Sequence, residues 1–235
     1  MIMRQYISNT HIFFKGLLDE IRTLSVEIIE LIFPKHPLLK KLERISLEKI
    51  LEICPACKNL NEGDSCSIWA IFEYRNELVE KIIFDIKNNK NSIIRAKVGH
   101  ILASEILKLF PEILNNEKIY IVPVPTTDRR IRERGFSQTN LLTKDIVNFN
   151  PSRFVSGIDK IKYVKKHKPQ TSVGNREARM KNVSGSMLCA DLNFFYKKHT
   201  MIVDDVYTTG ASMKETVRAL KKAEPKSIRM ISVAH

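Results

Sequence analysis

Residues 201–212, MIVDDVYTTGAS, constrain the fold of this chain more than any other stretch. Met201, Ile202 and Val203 run directly into Asp204 and Asp205, and a loop of hydroxyls and one glycine follows. A buried strand has no use for adjacent carboxylates unless it ends there, because an unpaired charge in a core is costly. The stretch therefore reads as a core strand that delivers charge to the edge of a sheet. Val206–Ser212 then forms the strand-to-helix turn. Ser212 and Glu215 make a capping-box pattern ahead of MKETVRALKKA, which places the helix start at or just after Ser212.

This arrangement has a chemical preference. A helix N-terminus presents unpaired N–H groups and the positive end of the helix dipole, which suits a phosphate dianion. Gly210 lets the backbone approach closely, while Thr208, Thr209 and Ser212 add hydroxyl donors. The two carboxylates are acceptors, so they fit a vicinal diol on the same ligand. A phosphate beside a diol describes a ribose 5-phosphate.

The rest of the chain is compatible with one α/β domain. Its 235 residues, 43% of them hydrophobic and 28% charged, suffice for one sizeable core and a small appendage. Helical spacing marks Ile12–Ile50, broken near Pro34 and Pro37, then Glu77–Ile86, Ile94–Phe110, Phe136–Val147 and Met213–Lys222. Strands are expected from Ile119, from Thr200 and over Ser227–Val233, with Cys54–Tyr74 irregular and Asn150–Ser186 a basic, loosely ordered stretch. Continuous apolar strands separated by helices imply a mostly parallel sheet with helices on both faces, whose ligands sit beyond the carboxyl ends of the strands.

Charge is concentrated. Between Thr126 and Asn182 fourteen Lys or Arg face five Asp or Glu, a net +9 within a chain of +13. Such a surface is a solvated face, a nucleic-acid footprint or a funnel for a phosphorylated small molecule. Phe136, Phe149, Phe154 and Tyr163 interleave it, as stacking platforms for a single strand or as core residues, with core packing expected for Phe149. The strand IYIVPVP must leave the sheet at Pro123 and Pro125, so Arg129 and Arg130 follow in a loop near the Asp pair, where guanidinium forks match diphosphate oxygens.

Cys54, Cys57 and Cys66 supply three thiols of a zinc site that needs four ligands; His36, Asp64 or an outside group completes it, or the cluster binds no metal. Cys189 reads as a small buried residue. Four cysteines fit a reducing compartment, and charges within Ile12–Phe33 oppose a membrane-spanning or secretory segment, so a cytoplasmic location is expected. The histidines His11, His100, His167, His199 and His235 show no triad spacing, which removes a hydrolase reading.

The 201–212 stretch resembles the 5-phosphoribosyl-1-diphosphate (PRPP) signature of type I phosphoribosyltransferases. Two further stretches are similar to the ComF/GntX family. One is VPVPTTDRRIRERGFSQTNLL, where Arg130, Arg134, Gly135, Phe136 and Gln138 match and Ser137 stands for an Asn. The other is KPQTSVGNREARMKNVSGSM, with Gln170, Arg179 and Asn182 in the recurring places. The resemblance implies a type I phosphoribosyltransferase-like domain over residues 76–235 and a zinc-ribbon-like element over 51–75, to which helical spacing adds a helical segment over 1–50, longer than the lead the family would have. It assigns PRPP binding to Asp204, Asp205, Thr208, Thr209, Gly210, Ala211 and Ser212, and pyrophosphate contacts to Arg129, Arg130, Arg134 and Arg179. Mg2+ would arrive largely on the ligand's own oxygens. Family membership implies a part in natural transformation, with single-stranded DNA and other competence or DNA-uptake proteins as partners. A nucleobase-salvage transferase and a PRPP-sensing scaffold are the alternatives, and no residue identifies an acceptor base.

Overall fold

The computed structural model describes residues 37–53, 58–59, 68–110, 117–164 and 183–235. Two short helices come first, α1 (Pro37–Arg44) and α2 (Leu47–Ile53). Strands β1 (Lys58–Asn59) and β2 (Ile68–Phe72) precede helices α3 (Glu77–Asn88) and α4 (Ile93–Leu109). After β3 (Ile119–Pro123) come α5 (Asp128–Arg134), α6 (Gln138–Phe149) and the short strands β4 (Phe154–Ser156), β5 (Ile161–Tyr163) and β6 (Met187–Cys189). Helix α7 (Leu192–Phe195), strand β7 (His199–Val206), helix α8 (Ala211–Lys221) and strand β8 (Ser227–Ala234) finish the chain. Leu42–His235 form one compact unit.

The main sheet has the order β1-β2-β8-β7-β3-β4. Every pairing in it is parallel except β1 with β2 at the edge. Strands β7 and β8 lie inside the sheet, and consecutive residues are buried on both faces, His199–Val203 in β7 and Met230–Ala234 in β8. Ile202 of β7 and Val122 of β3 share a core with Met213, Val217 and Leu220 of α8. Side chains alternate along a strand. Met201, Val203 and Asp205 therefore face the other side, where α3 and α6 pack on β7. The mostly parallel, doubly covered sheet expected from the sequence is the one observed.

Side-chain caps fix where the helices start. Asn76 Oδ1 accepts from the amides of Leu78 and Val79 ahead of α3, and Ser92 Oγ accepts from Arg95 N ahead of α4. Helices α4 and α6 cross at Gly99, where an added Cβ would lie 2.6 Å from Asp145 Cβ. The same contact is tied by Arg95 Nε to Asp145 Oδ2 at 2.7 Å. Gly99→Ala is expected to destabilise the protein by about 1–3 kcal/mol, the usual cost of overpacking, seen as a lower urea midpoint at unchanged slope.

Several elements differ from the sequence reading. Ile68–Phe72 lies in the segment read as irregular, yet it is a buried strand parallel to β8; five apolar residues without alternation carry no periodicity of their own. Arg129 and Arg130 sit on a short helix, α5, not in a loop, because Thr127 caps its start and Gly135, at φ 78°, ends it. The basic stretch after Asn150 contains β4 and β5. At the amino end of the sheet, His199 joins residues distant in sequence: its Nε2 lies 2.7 Å from Glu117 and its Nδ1 2.8 Å from Ser227 Oγ. Lys226 holds the Glu117 carboxylate below its usual pKa range through a hydrogen bond. This cluster ties the sheet's lower rim, at the end away from the Asp pair.

Candidate functional site at the carboxyl end of β7

Strand β7 ends on Asp204, Asp205 and Val206, between β8 and β3. The two acids leave the strand on opposite faces, yet their carboxyls stay close enough to act on each other. Asp204 lies on the α8 side and, with residues 206–213, lines a small pocket. Asp205 faces the helix side, where Lys87 Nζ at the end of α3 comes within 3.5 Å of its Oδ2. Each carboxylate is also held by local backbone, Asp204 Oδ1 accepting from Asp205 N and Asp205 Oδ1 from Val206 N, both at 2.9 Å. Asp205 is 7% exposed, and its Oδ2 is buried without a hydrogen bond. Burial first, and the neighbouring Asp205 second, push the Asp204 carboxyl well above the usual carboxylate range. A pair held at this electrostatic cost is primed for hydroxyl donors.

The loop after β7 departs from the sequence reading at its cap. Gly210, with φ 70°, is the N-cap residue, and α8 begins at Ala211 with no side-chain cap. The capping box of Ser212 and Glu215 does not form. Glu215 instead accepts from Met187 N at 3.0 Å and pairs with Arg218 at 2.7 Å. Gly210 supplies no capping side chain, and Ala211 N reaches only Thr209 Oγ1, at a long 3.5 Å, which leaves the start of α8 open to an anion. Tyr207 turns inward and is 2% exposed. Its amide bonds Ala234 O and its carbonyl accepts from His235 Nδ1, so it lies beneath the loop rather than over it.

Helix α5 sorts the arginines. Arg129 Nε donates to Glu133 at 2.7 Å, and this contact raises the Arg129 pKa. Arg130 and Arg134, one turn apart, share the adjacent face. Arg130 acts electrostatically on Tyr163 of β5, as Asp204 does. Ser137, which stands where the resembling family has Asn, caps α6 through Asn140 N and shares a hydroxyl triangle with Thr126 and Thr139.

Sequence reasoning missed Lys87 and the placement of Tyr163; Lys87 carries no signal beyond lying in the last turn of an amphipathic helix. Among the stacking candidates, Phe136 and Phe154 are buried in the core, whereas Phe149 is 40% exposed with its ring 5.2 Å from His100. The core packing expected of Phe149 is thus not observed, while Phe136 and Phe154, open between stacking and core, are core residues. Cys54, Cys57, Cys66, Arg179 and the lysines at 165, 166 and 168 lie outside the described residues. Among the described residues, no three His, Cys, Asp or Glu cluster as a metal site, and no helix is long and apolar enough to cross a membrane.

The family described as "Phosphoribosyl transferase domain" matches residues 153–235, the part of the chain that carries the Asp pair, the loop and α8. "Competence protein ComFC" of Streptococcus pneumoniae is 23% identical over 202 residues, covering 77% of this chain and 80% of that protein. "Competence protein F" of Haemophilus influenzae is 27% identical over 114 residues, 48% of this chain and 49% of that protein. Among solved structures, a Trypanosoma cruzi hypoxanthine phosphoribosyl transferase superposes with a TM-score of 0.37 and 16% identity, covering 66% of this chain and 64% of that chain. A parallel sheet whose central strand ends in paired acids and a Gly-led helix, within that matched domain, defines a phosphoribosyl transferase-like protein. The matches to competence proteins carry it further: over about three quarters of its length the chain is similar to ComFC proteins.

Proposed function

We propose that this chain binds PRPP at the end of β7 and serves natural transformation on the cytoplasmic side, handling incoming single-stranded DNA. The observation that carries the PRPP half is the uncapped start of α8 at Gly210 beside the half-buried Asp204 and the buried Asp205. Thr208, Thr209, Ala211 and Ser212 would surround the 5-phosphate with amides and hydroxyls. Asp204 and Asp205 would accept from the ribose diol, Lys87 keeping the Asp205 charge compensated. Arg130 and Arg134 would neutralise the diphosphate, with Mg2+ arriving on the ligand's own oxygens. The described residues fit such a ligand-borne ion, since the Asp pair offers acceptors but no complete cage. The DNA half is supported by the net +9 of residues 126–182 and by the likeness to competence proteins.

In a thermal-shift assay, PRPP with Mg2+ is expected to raise the melting temperature while ribose does not, because the phosphates carry most of the affinity. Arg130→Ala is expected to shrink that shift, and Arg129→Ala, already paired with Glu133, to leave it nearly intact. No shift at millimolar PRPP refutes the reading. For the strand, binding of a short oligodeoxythymidine that falls steeply with added salt supports the DNA role, and no binding at low salt removes it.

A further inference from the structure

The antiparallel ribbon β5–β6 lies on α8, and Met187 is held there by both of its backbone groups. Met187 N donates to Glu215 Oε1 at 3.0 Å, while Met187 O accepts from Arg218 Nη2 at 2.6 Å. The Glu215–Arg218 ion pair, closed at 2.7 and 2.8 Å, thus takes both backbone groups of one residue, as a neighbouring strand would. Thr216 Oγ1 reaches the Met187 sulfur as well, at 3.4 Å. Burial works against the Glu215 charge, but Arg218 and the Met187 and Gly185 amides outweigh it and hold its pKa below the usual range. The residue directly opposite Met187 in the ribbon is Tyr163. Clamping Met187 therefore sets where the Tyr163 side chain stands.

It stands at the phosphate loop. The Tyr163 side chain packs, half-buried, against the core cluster that includes Tyr207 and Met213 on either side of the loop, with Ser212, Asp204 and Arg130 as its electrostatic neighbours. We propose that Tyr163 is a ligand-binding residue, its phenol donating a hydrogen bond to the phosphate monoester of a phosphoribosyl ligand held beside Ser212. The inference rests on the PRPP reading above and adds the residue that closes the loop from the ribbon side. Burial first, then Asp204, push the phenol up to about 12, so it remains a neutral donor throughout the pH range of a living cell. A neutral donor suits a dianion. Glu215 and Arg218 act through Tyr163 as positioning residues.

Tyr163→Phe keeps the ring and removes only the hydroxyl. Binding of PRPP, ribose 5-phosphate and inorganic pyrophosphate, each with Mg2+, is measured by calorimetry on the full chain, alongside the melting temperature. PRPP and ribose 5-phosphate are expected to weaken alike, by roughly 10- to 100-fold, the worth of one hydrogen bond to a charged group, with pyrophosphate unchanged. Arg218→Met is expected to weaken PRPP in the wild type and to add little in the Tyr163→Phe background, the non-additivity of residues acting through one contact. Unchanged affinity for ribose 5-phosphate overturns the assignment and leaves Tyr163 a structural tie. Equal weakening of all three ligands overturns it too, as general distortion of the site. If the wild type itself binds neither PRPP nor ribose 5-phosphate, the PRPP reading fails and takes this assignment with it.

Discussion

The double variant Asp204→Asn, Asp205→Asn is expected to lose PRPP while folding at least as stably as the wild type at neutral pH. Two charge-assisted hydrogen bonds to the ribose diol disappear, a loss on the order of 100-fold or more in affinity. Stability moves the other way because the native fold disfavours the Asp204 charge through burial and its neighbour Asp205. The folded pKa lies above the unfolded one, so wild-type stability falls as pH rises from the unfolded value through the raised folded value. Asn does not titrate. Its advantage is therefore absent in acid, below the unfolded pKa, and full above the folded one; paired melting curves across pH read it directly. Loss of Lys87's partner at Asp205 offsets part of that gain, so Asp204→Asn alone is expected to be the more stable variant. A double variant that binds PRPP like the wild type places the diol elsewhere.

Gly210→Ala is expected to be the most damaging single-methyl change in the loop. Gly210 has φ 70°, where an L side chain is strained, and an added Cβ would lie 2.5 Å from the Tyr207 hydroxyl and 2.6 Å from its ring. Tyr207 is buried beneath the loop and cannot swing away cheaply. Strain and overpacking together are expected to cost about 2–4 kcal/mol and to shift the first-turn amides of α8, weakening PRPP by more than about tenfold. Gly135 is the control: it also has positive φ, 78°, but nothing lies within 4 Å of its added Cβ. Gly135→Ala is expected to cost about 1 kcal/mol, the backbone strain alone. Equal losses at the two glycines, read by urea unfolding, would show that the Tyr207 contact does not matter.

How much of this was legible in the sequence follows from the range of each interaction. The Met201–Ser212 run gave the strand, its place at the carboxyl end of a parallel sheet and the turn, because local burial and local turn chemistry encode all three. The helix cap misled. Ser212 and Glu215 have the right spacing for a capping box, but Glu215 is claimed by Met187, 28 residues away, and Arg218, a contact no local pattern announces. Long-range partners hid the other pieces as well. Lys87 meets Asp205 from a helix more than a hundred residues earlier, and β2 earns its place only by pairing with β8 near the chain's end. Tyr163 looked like one aromatic in a basic stretch until the β5–β6 register set it opposite Met187. The arginines were read as one cluster, and only the helical geometry of α5 separates the paired Arg129 from Arg130.

On the proposed reading, the uncapped start of α8 and the acid pair of β7 together hold one phosphoribosyl group. A crystal structure of the protein soaked with ribose 5-phosphate and Mg2+ tests it most directly. The predicted result is a phosphate seated on residues 208–212, with the 2- and 3-hydroxyls on Asp204 and Asp205. Ribose 5-phosphate bound at another surface, or this loop without ligand at saturating concentration, would contradict it.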